Sequence, residues 1–197
     1  MPQTGKAVGI DFGLKTFLST SEGKEIISPE PLKAELATLA KLNRSLAKKT
    51  KGSNRWKKCK RRLAKKHRRI SNVRRAFHLD NARKLLERYD KIAIEDLNLN
   101  GMKMLWGRKV SDLGYASFVS TLQHLAEREG KEVTKVDRYF ASSKTCYDCG
   151  EVNQELTLND RVWACKNCGG VHQRDINAAK NILERAFSST VGDVRRE

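Results

Sequence analysis

Apolar positions along the chain fall into two kinds of pattern. AVGIDFG (7–13) and KIAIEDL (91–97) are short, near-continuous apolar runs that end in a carboxylate, the mark of strands covered on both faces. Thr16 to Thr20 is a short β-rich stretch, and Glu22-Gly23 is a turn signal. Gly23 to Ile27 then runs on toward Pro29 and Pro31, so two or three antiparallel strands are expected at this end. From Leu36 the period changes. Leu36, Leu39 and Leu46 are followed by Trp56, Cys59, Leu63, Ile70, Val73 and Phe77, a stripe at helical spacing. The break at Thr50 to Asn54, with Gly52, predicts two helices joined by a short loop, the second reaching about Arg88. Trp56 lies on the apolar stripe and reads as core. Lys91 to Leu97 is a buried strand, Asp112 to Glu129 an amphipathic helix ended by Gly130, and Lys131 to Asp137 an alternating strand. Asp175 to Phe187 closes the pattern as a helix with Ile176, Ala179, Ile182 and Leu183 on one face. The tail 188–197 is polar and expected to be flexible. Strands interleaved with helices in this order imply an α/β fold, and the antiparallel opening makes its sheet mixed.

Charge changes the picture from fold to partner. The 197 residues carry a net +17 with a pI near 9.9, which points to nucleic acid, an anionic membrane or an acidic protein. No apolar run is long enough to span a bilayer. MPQTGKAVGIDFG lacks a basic region followed by an apolar one, so no signal peptide is expected and a cytoplasmic chain is. From Leu36 to Leu79 there is no Asp or Glu, and residues 41–75 hold 17 Lys and Arg. Solvated helix faces normally mix charge signs. Arg55, Lys58, Arg61, Arg62, Lys65, Arg68 and Arg69 are therefore expected to meet a polyanion. Several of these pairs fall at i,i+4, each costing roughly 0.2–0.5 kcal/mol unless a polyanion offsets it.

Three carboxylates stand out. Asp11 and Glu95 each follow an apolar strand, and Asp175 opens the last helix. Two carboxylates on adjacent strands repel and rise in pKa unless a cation lies between them. Mg²⁺ or Mn²⁺ suits such oxygen ligands, and a pair of ions supports phosphodiester hydrolysis. Each residue also has an ordinary explanation: Asp11 as a turn residue, Glu95-Asp96 as a solvated strand end, Asp175 as a helix N-cap. Alternation leaves Glu95 and Asp96 on opposite faces, so only one joins a cage; Glu95 is the choice, with Asp96 supporting it.

Cys146-x-x-Cys149 and Cys165-x-x-Cys168 are separated by fifteen residues, and Gly150 and Gly169 follow the pairs. This spacing predicts a closed, structural Zn²⁺ site. His172 is then more naturally a packing or phosphate-contacting residue than a fifth ligand. Lys144, Lys166 and Arg174 make the region basic.

GIDFGLKTF, IAIEDLNLNGM, SSKTCYDCG with CKNCG, and RDINAAKNI resemble the RuvC motifs and zinc finger of the TnpB family, the OrfB-type insertion-sequence transposases related to type V CRISPR effectors. The resemblance covers nearly all of residues 5–187. It implies an RNase H-like (RuvC) fold with a basic helical hairpin at 36–88 and a four-cysteine zinc-ribbon insertion at 141–172. The nuclease core would then be 1–140 with 173–187. It implies that Asp11, Glu95 and Asp175 are the catalytic triad holding Mg²⁺ or Mn²⁺, and that the activity is RNA-guided endonuclease cleavage of DNA. Implied partners are single-stranded or R-loop DNA, a transposon guide RNA, and a full-length relative or second copy, in a prokaryotic cytoplasm at the nucleoid. Arg174 and Lys144 would contact phosphate near the cut. The family usually has a long region before the first motif that grips guide RNA and DNA, and an acidic residue where this chain has Gln173. Since the first motif begins almost at Met1, that recognition half is expected to be missing. The alternative is then a truncated RNA- or DNA-binding regulatory protein without autonomous cleavage. A Holliday-junction resolvase shares the core fold but leaves the knuckles and the basic insertion unexplained.

Overall fold

A computed structural model of the chain describes residues 3–157 and 159–188. The expected flexible tail therefore lies, from 189 onward, outside the described residues. Five strands form one sheet: β1 (Ala7–Phe12), β2 (Leu18–Thr20), β3 (Glu25–Ile26), β4 (Lys91–Glu95) and β5 (Glu132–Val136). Their order is β3-β2-β1-β4-β5. The β1–β2–β3 pairs are antiparallel, while β1–β4 and β4–β5 are parallel. This is the mixed α/β sheet that the sequence implies.

The two faces of the sheet are covered differently. Val8, Ile10 and Phe12 alternate to one face and join Ile92 and Ile94 in the main core. Phe17, Leu86, Tyr115, Phe118 and Leu122 complete it, and all five are almost wholly buried. Each such side chain contributes roughly 1.5–3 kcal/mol on burial. The opposite face carries Gly9 and Ala93, small because a helix lies directly on them. That helix is α5 (Arg174–Phe187), whose Ile182 packs with Ala93 and Val136. A Cβ built on Gly9 would stand 1.9 Å from the Ala179 carbonyl oxygen. Glycine here lets strand and helix approach backbone to backbone.

Between β3 and β4 come α1 (Pro31–Ala47) and α2 (Asn54–Leu86), an antiparallel pair. α1 begins five residues earlier than the apolar stripe suggests. Pro31 fits the first turn of a helix, and the free amides of Leu32 and Lys33 donate to the two carboxylate oxygens of Asp112, each at 2.9 Å. The cap thus comes from eighty residues away, which local sequence cannot show. Ser53 caps α2 by accepting from the Trp56 amide at 3.2 Å, and Lys66 bridges to Glu35 of α1 at 2.9 Å.

The helix expected at 112–129 is present and starts three residues later, and a further helix not expected from the sequence precedes it: the two are α3 (Leu99–Leu113), kinked at Trp106 (φ −133°, ψ 38°), and α4 (Tyr115–Glu129). Gly114, at φ 65°, ends the first and begins the second. After β5, a two-stranded hairpin of β6 (Val162–Ala164) and β7 (Val171–Gln173) carries the second cysteine pair and runs straight into α5. Among the described residues no helix is long and apolar enough to cross a membrane.

Candidate metal centres and nucleic-acid face

The parallel register places the first two carboxylates. Gly9 pairs with Ala93 and Ile10 with Ile94, so Asp11 and Glu95 come next on adjacent strands. Alternation puts both on the Gly9/Ala93 face, the one α5 covers. Asp175 sits in the first turn of α5, at the end of that helix nearest the carboxyl ends of β1 and β4. It is not the N-cap, which is Gln173, so capping does not explain it.

Asp11 responds to this company. Burial, then the Glu95 carboxylate, then that of Asp175, raise its pKa well above the ordinary value, and Arg174 and Arg161 only partly oppose them. Glu95 is likewise pushed up, by burial first and then by Asp96. Unneutralised carboxylates forced together in this way favour a proton or a cation between them. All the donors are hard oxygens, as Mg²⁺ or Mn²⁺ requires.

Asp175 already has cationic partners. Arg161 Nη1 donates to Oδ2 at 2.9 Å, and Arg174 Nε donates to Oδ1 at 3.0 Å. Arg161 was not singled out from the sequence; its distance of fourteen residues from Asp175, across a hairpin, gives no local signal. Among the described residues, the groups whose ligand atoms all close to within 4.8 Å are cysteine-based, and the three carboxylates are not one of them. Electrostatics links the acids, and the two guanidiniums carry part of the counter-charge.

Tyr115 is a second neighbour the sequence did not flag. Its hydroxyl donates to the Gly13 carbonyl at 2.6 Å, pinning the turn that follows Asp11. Burial first, and then the Asp11 charge, keep that hydroxyl protonated. Asp96 turns away to Arg138, in keeping with Glu95 as the member of the pair on the α5 face.

The cysteines form the more compact centre. Cys146, Cys149, Cys165 and Cys168 bring their sulfurs within 4.8 Å of one another. Cys146 and Cys168 are 3.7 Å apart, and Cys149 and Cys165 are 3.6 Å apart. A tetrahedron with metal–sulfur bonds of about 2.3 Å has edges of about 3.8 Å, so these separations fit a thiolate-bound Zn²⁺. The two knuckles repeat one hydrogen-bond pattern. Gly150 donates to the Cys146 carbonyl and Gly169 to the Cys165 carbonyl, each at 2.9 Å. Cys146 and Cys165 donate to the carbonyls of Glu151 and Gly170, each at 2.8 Å. Gly150 and Gly169 adopt φ 79° and 73°, which glycine takes without steric cost and which turns the chain tightly beneath the sulfurs. Without a cation, burial pushes the Cys146 thiol up to about 12, while backbone amide donation draws Cys149 down to about 7.

His172 proves to be part of this centre. Its Nε2 lies 3.1 Å from Cys146 Sγ and 3.7 Å from an Asp148 oxygen, and its ring packs on Trp163. An imidazole N–H at a metal-bound sulfur orients the ligand and tempers its charge. Two asparagines fasten the knuckles to α5. Asn177 accepts from the Tyr147 amide at 3.0 Å and donates to the Thr145 carbonyl at 2.7 Å. Asn181 donates to the Ser142 and Thr145 carbonyls at 2.8 and 2.6 Å. Both asparagines are buried, and their spacing of four places them on one helix face.

The predicted basic residues divide. Arg55, Lys58, Arg61, Arg62, Lys65, Arg68 and Arg69 are exposed along α2. Lys144 is half-buried, its Nζ donating to the Gln154 carbonyl, and Arg174 turns onto Asp175.

Comparisons with known proteins bear on the family and the fold of the chain. The model of the OrfB_IS605 family, described as a probable transposase, matches residues 1–105, and that of the Cas12f1-like TNB domain matches residues 115–182. A Streptomyces pristinaespiralis protein named "Putative RNA-guided DNA endonuclease" is 37% identical over 195 residues, covering 98% of this chain and 48% of its own length. TnpB-like protein L79 of Acanthamoeba polyphaga mimivirus is 33% identical over 192 residues, covering 89% and 36% respectively. The chain thus spans about half the length, or less, of the curated relatives it matches. The fold is similar to that in a Cas12f1–sgRNA–target DNA complex, with a TM-score of 0.61 at 19% identity, covering 93% of this chain and 50% of that one. It is also similar to the mini-RNA-guided endonuclease CRISPR-Cas_phi3, with a TM-score of 0.57 at 14% identity, covering 91% and 44%.

Proposed function

The chain belongs to the OrfB_IS605 family of probable transposases, and from that premise we propose that it carries the divalent-metal-dependent nuclease centre of an RNA-guided DNA endonuclease. The observation that carries this reading is the convergence of Asp11, Glu95 and Asp175 at the amino end of α5, where burial first, and then the other two carboxylates, push Asp11 up in pKa. A pure scaffold gains nothing from that repulsion. Asp11, Glu95 and Asp175 would hold Mg²⁺ or Mn²⁺, which when bound activates water and stabilises the leaving oxygen of a phosphodiester. The amino end of α5 favours negative charge on the same side. Arg161 and Arg174, both on Asp175, stand where they can pass to a phosphate once that carboxylate turns to a metal. The four cysteines would hold structural Zn²⁺, which supplies on the order of 10–16 kcal/mol to fold such a loop. The α2 face would carry guide RNA or a guide–target duplex, whose pairing supplies sequence specificity. The proposed units are a core of 1–140 and 173–187, with 141–172 as the zinc module.

In the test, purified protein is incubated with single-stranded DNA and Mn²⁺ or Mg²⁺. Nicking is expected, and Asp11→Ala or Glu95→Ala should lower it roughly 10²-fold or more, the scale of losing one preorganised electrostatic group. Equal cleavage by those variants would remove the assignment. The clamp of two arginines on Asp175 favours a second reading, a protein that binds nucleic acid without cutting it. Salt-sensitive binding with no metal-dependent nicking would select that one.

A further inference from the structure

Trp56 is the only Phe, Tyr or Trp between Phe17 and Phe77, and periodicity assigns it to the core. The structure corrects that. Cys59 and Ile70, further along the same stripe, are buried at 6% and 5% exposure. Trp56, in the first turn of α2, is only half-buried and opens onto a shallow, apolar-floored recess shared with Lys57, Lys60, Arg61 and Ala64. The Lys60 ammonium lies 5.0 Å from the centre of its ring.

We propose that this recess is a stacking site for an unpaired nucleobase, with Lys57, Lys60 and Arg61 receiving the phosphates on either side of it. The proposal rests on the nucleic-acid reading of α2 and specifies how one part of that surface engages its ligand. Three features favour this occupant. An indole edged by cations presents the two things a single-stranded nucleotide needs, a π-face for the base and positive charge for the backbone. No acid occurs between Leu36 and Leu79 to compete for those cations. The recess also begins in the first turn of a 33-residue helix, where the macrodipole adds to the attraction for anions at its Trp56 and Lys57 end. An apolar protein segment would cover the indole but leave the three cations unmatched. A paired duplex would meet the cations but could offer the ring no free base.

The experiment uses the full chain and two labelled probes of equal length and charge: an oligothymidylate about a dozen nucleotides long, and the same backbone made abasic. Binding is read by fluorescence anisotropy at low salt. Wild type should prefer the base-bearing probe by about tenfold, as expected for one stacked base. Trp56→Phe should retain most of that preference, and Trp56→Ala should abolish it with helix content by circular dichroism unchanged. The proposal is overturned if Trp56→Ala keeps the preference, or if wild type binds both probes equally. It is also overturned if the substitution alters only self-association, which would mark a protein contact. Failure of wild type to bind either probe would instead overturn the nucleic-acid reading of α2, and the stacking site with it.

Discussion

At the scale of single residues, Asp11 carries the sharpest consequence. Its pKa is raised in the folded chain by burial and by its acidic neighbours, so the folded state binds this proton more tightly than the unfolded one. The associated stability is present below the unfolded value of about 3.9 and is lost as pH rises through the folded value. Asp11→Asn removes that loss. Without added Mg²⁺ or Mn²⁺, the variant should melt above wild type at neutral pH, and the gap should close toward about pH 4. Added Mn²⁺ should raise the melting temperature of wild type and leave the variant unmoved. A variant that melts at or below wild type at neutral pH would mean that the neighbouring charges are not felt. Asp11 and Glu95 were legible in the sequence because each ends an apolar strand, a place where a carboxylate serves no packing purpose. Arg161 and Tyr115 were not, since each reaches the site through tertiary contact alone.

At the scale of elements, the meeting of β1 and α5 decides whether Asp175 faces Asp11. Gly9 makes that meeting possible, because any side chain there would run into the Ala179 carbonyl. Gly9→Ala should destabilise by about 1–3 kcal/mol through overpacking. That corresponds to a fall of roughly 2–4 °C in melting temperature per kcal/mol for a chain of this size. Because the helix must move to make room, metal-dependent nicking should fall further than the lost stability accounts for. A stable Gly9→Ala protein with full activity would show that strand and helix can slip without cost. The five strands of the main sheet, α2, α4, α5 and the knuckles could be read from periodicity and spacing. α3 could not: Gly101 and Gly107 weaken its helical signal, and Met104 and Leu105 point to solvent, 88% and 72% exposed, so no apolar stripe marks it. The early start of α1 was hidden for another reason. Its capping carboxylate, Asp112, belongs to α3.

At the scale of the whole molecule, charge is arranged as well as abundant. The α1–α2 hairpin accounts for all of the +17, with 20 Lys and Arg against two acids in residues 31–86, and the Asp112 cap and its contact with Arg74 at 3.5 Å tie it to the core. A ligand lying along α2 is therefore held in a fixed relation to the sheet. If about eight phosphates are neutralised, log affinity for duplex should fall with log salt at a slope near −7. Arg61→Ala should make that slope shallower by about one. A slope near zero would remove the polyanion from the picture.

The stitching of Asn177 and Asn181 to the backbone at Ser142 and Thr145 has an engineering corollary. The ribbon cannot be treated as a cassette with a free hinge, because β7 passes into α5 without a spacer and the same helix bears both the anchoring amides and Asp175, an acid of the proposed metal site. A transplant that exchanged the ribbon at residues 141 and 172 would have to reproduce the carbonyl positions those amides grip, or the donor helix would arrive rotated and its carboxylate would be aimed elsewhere.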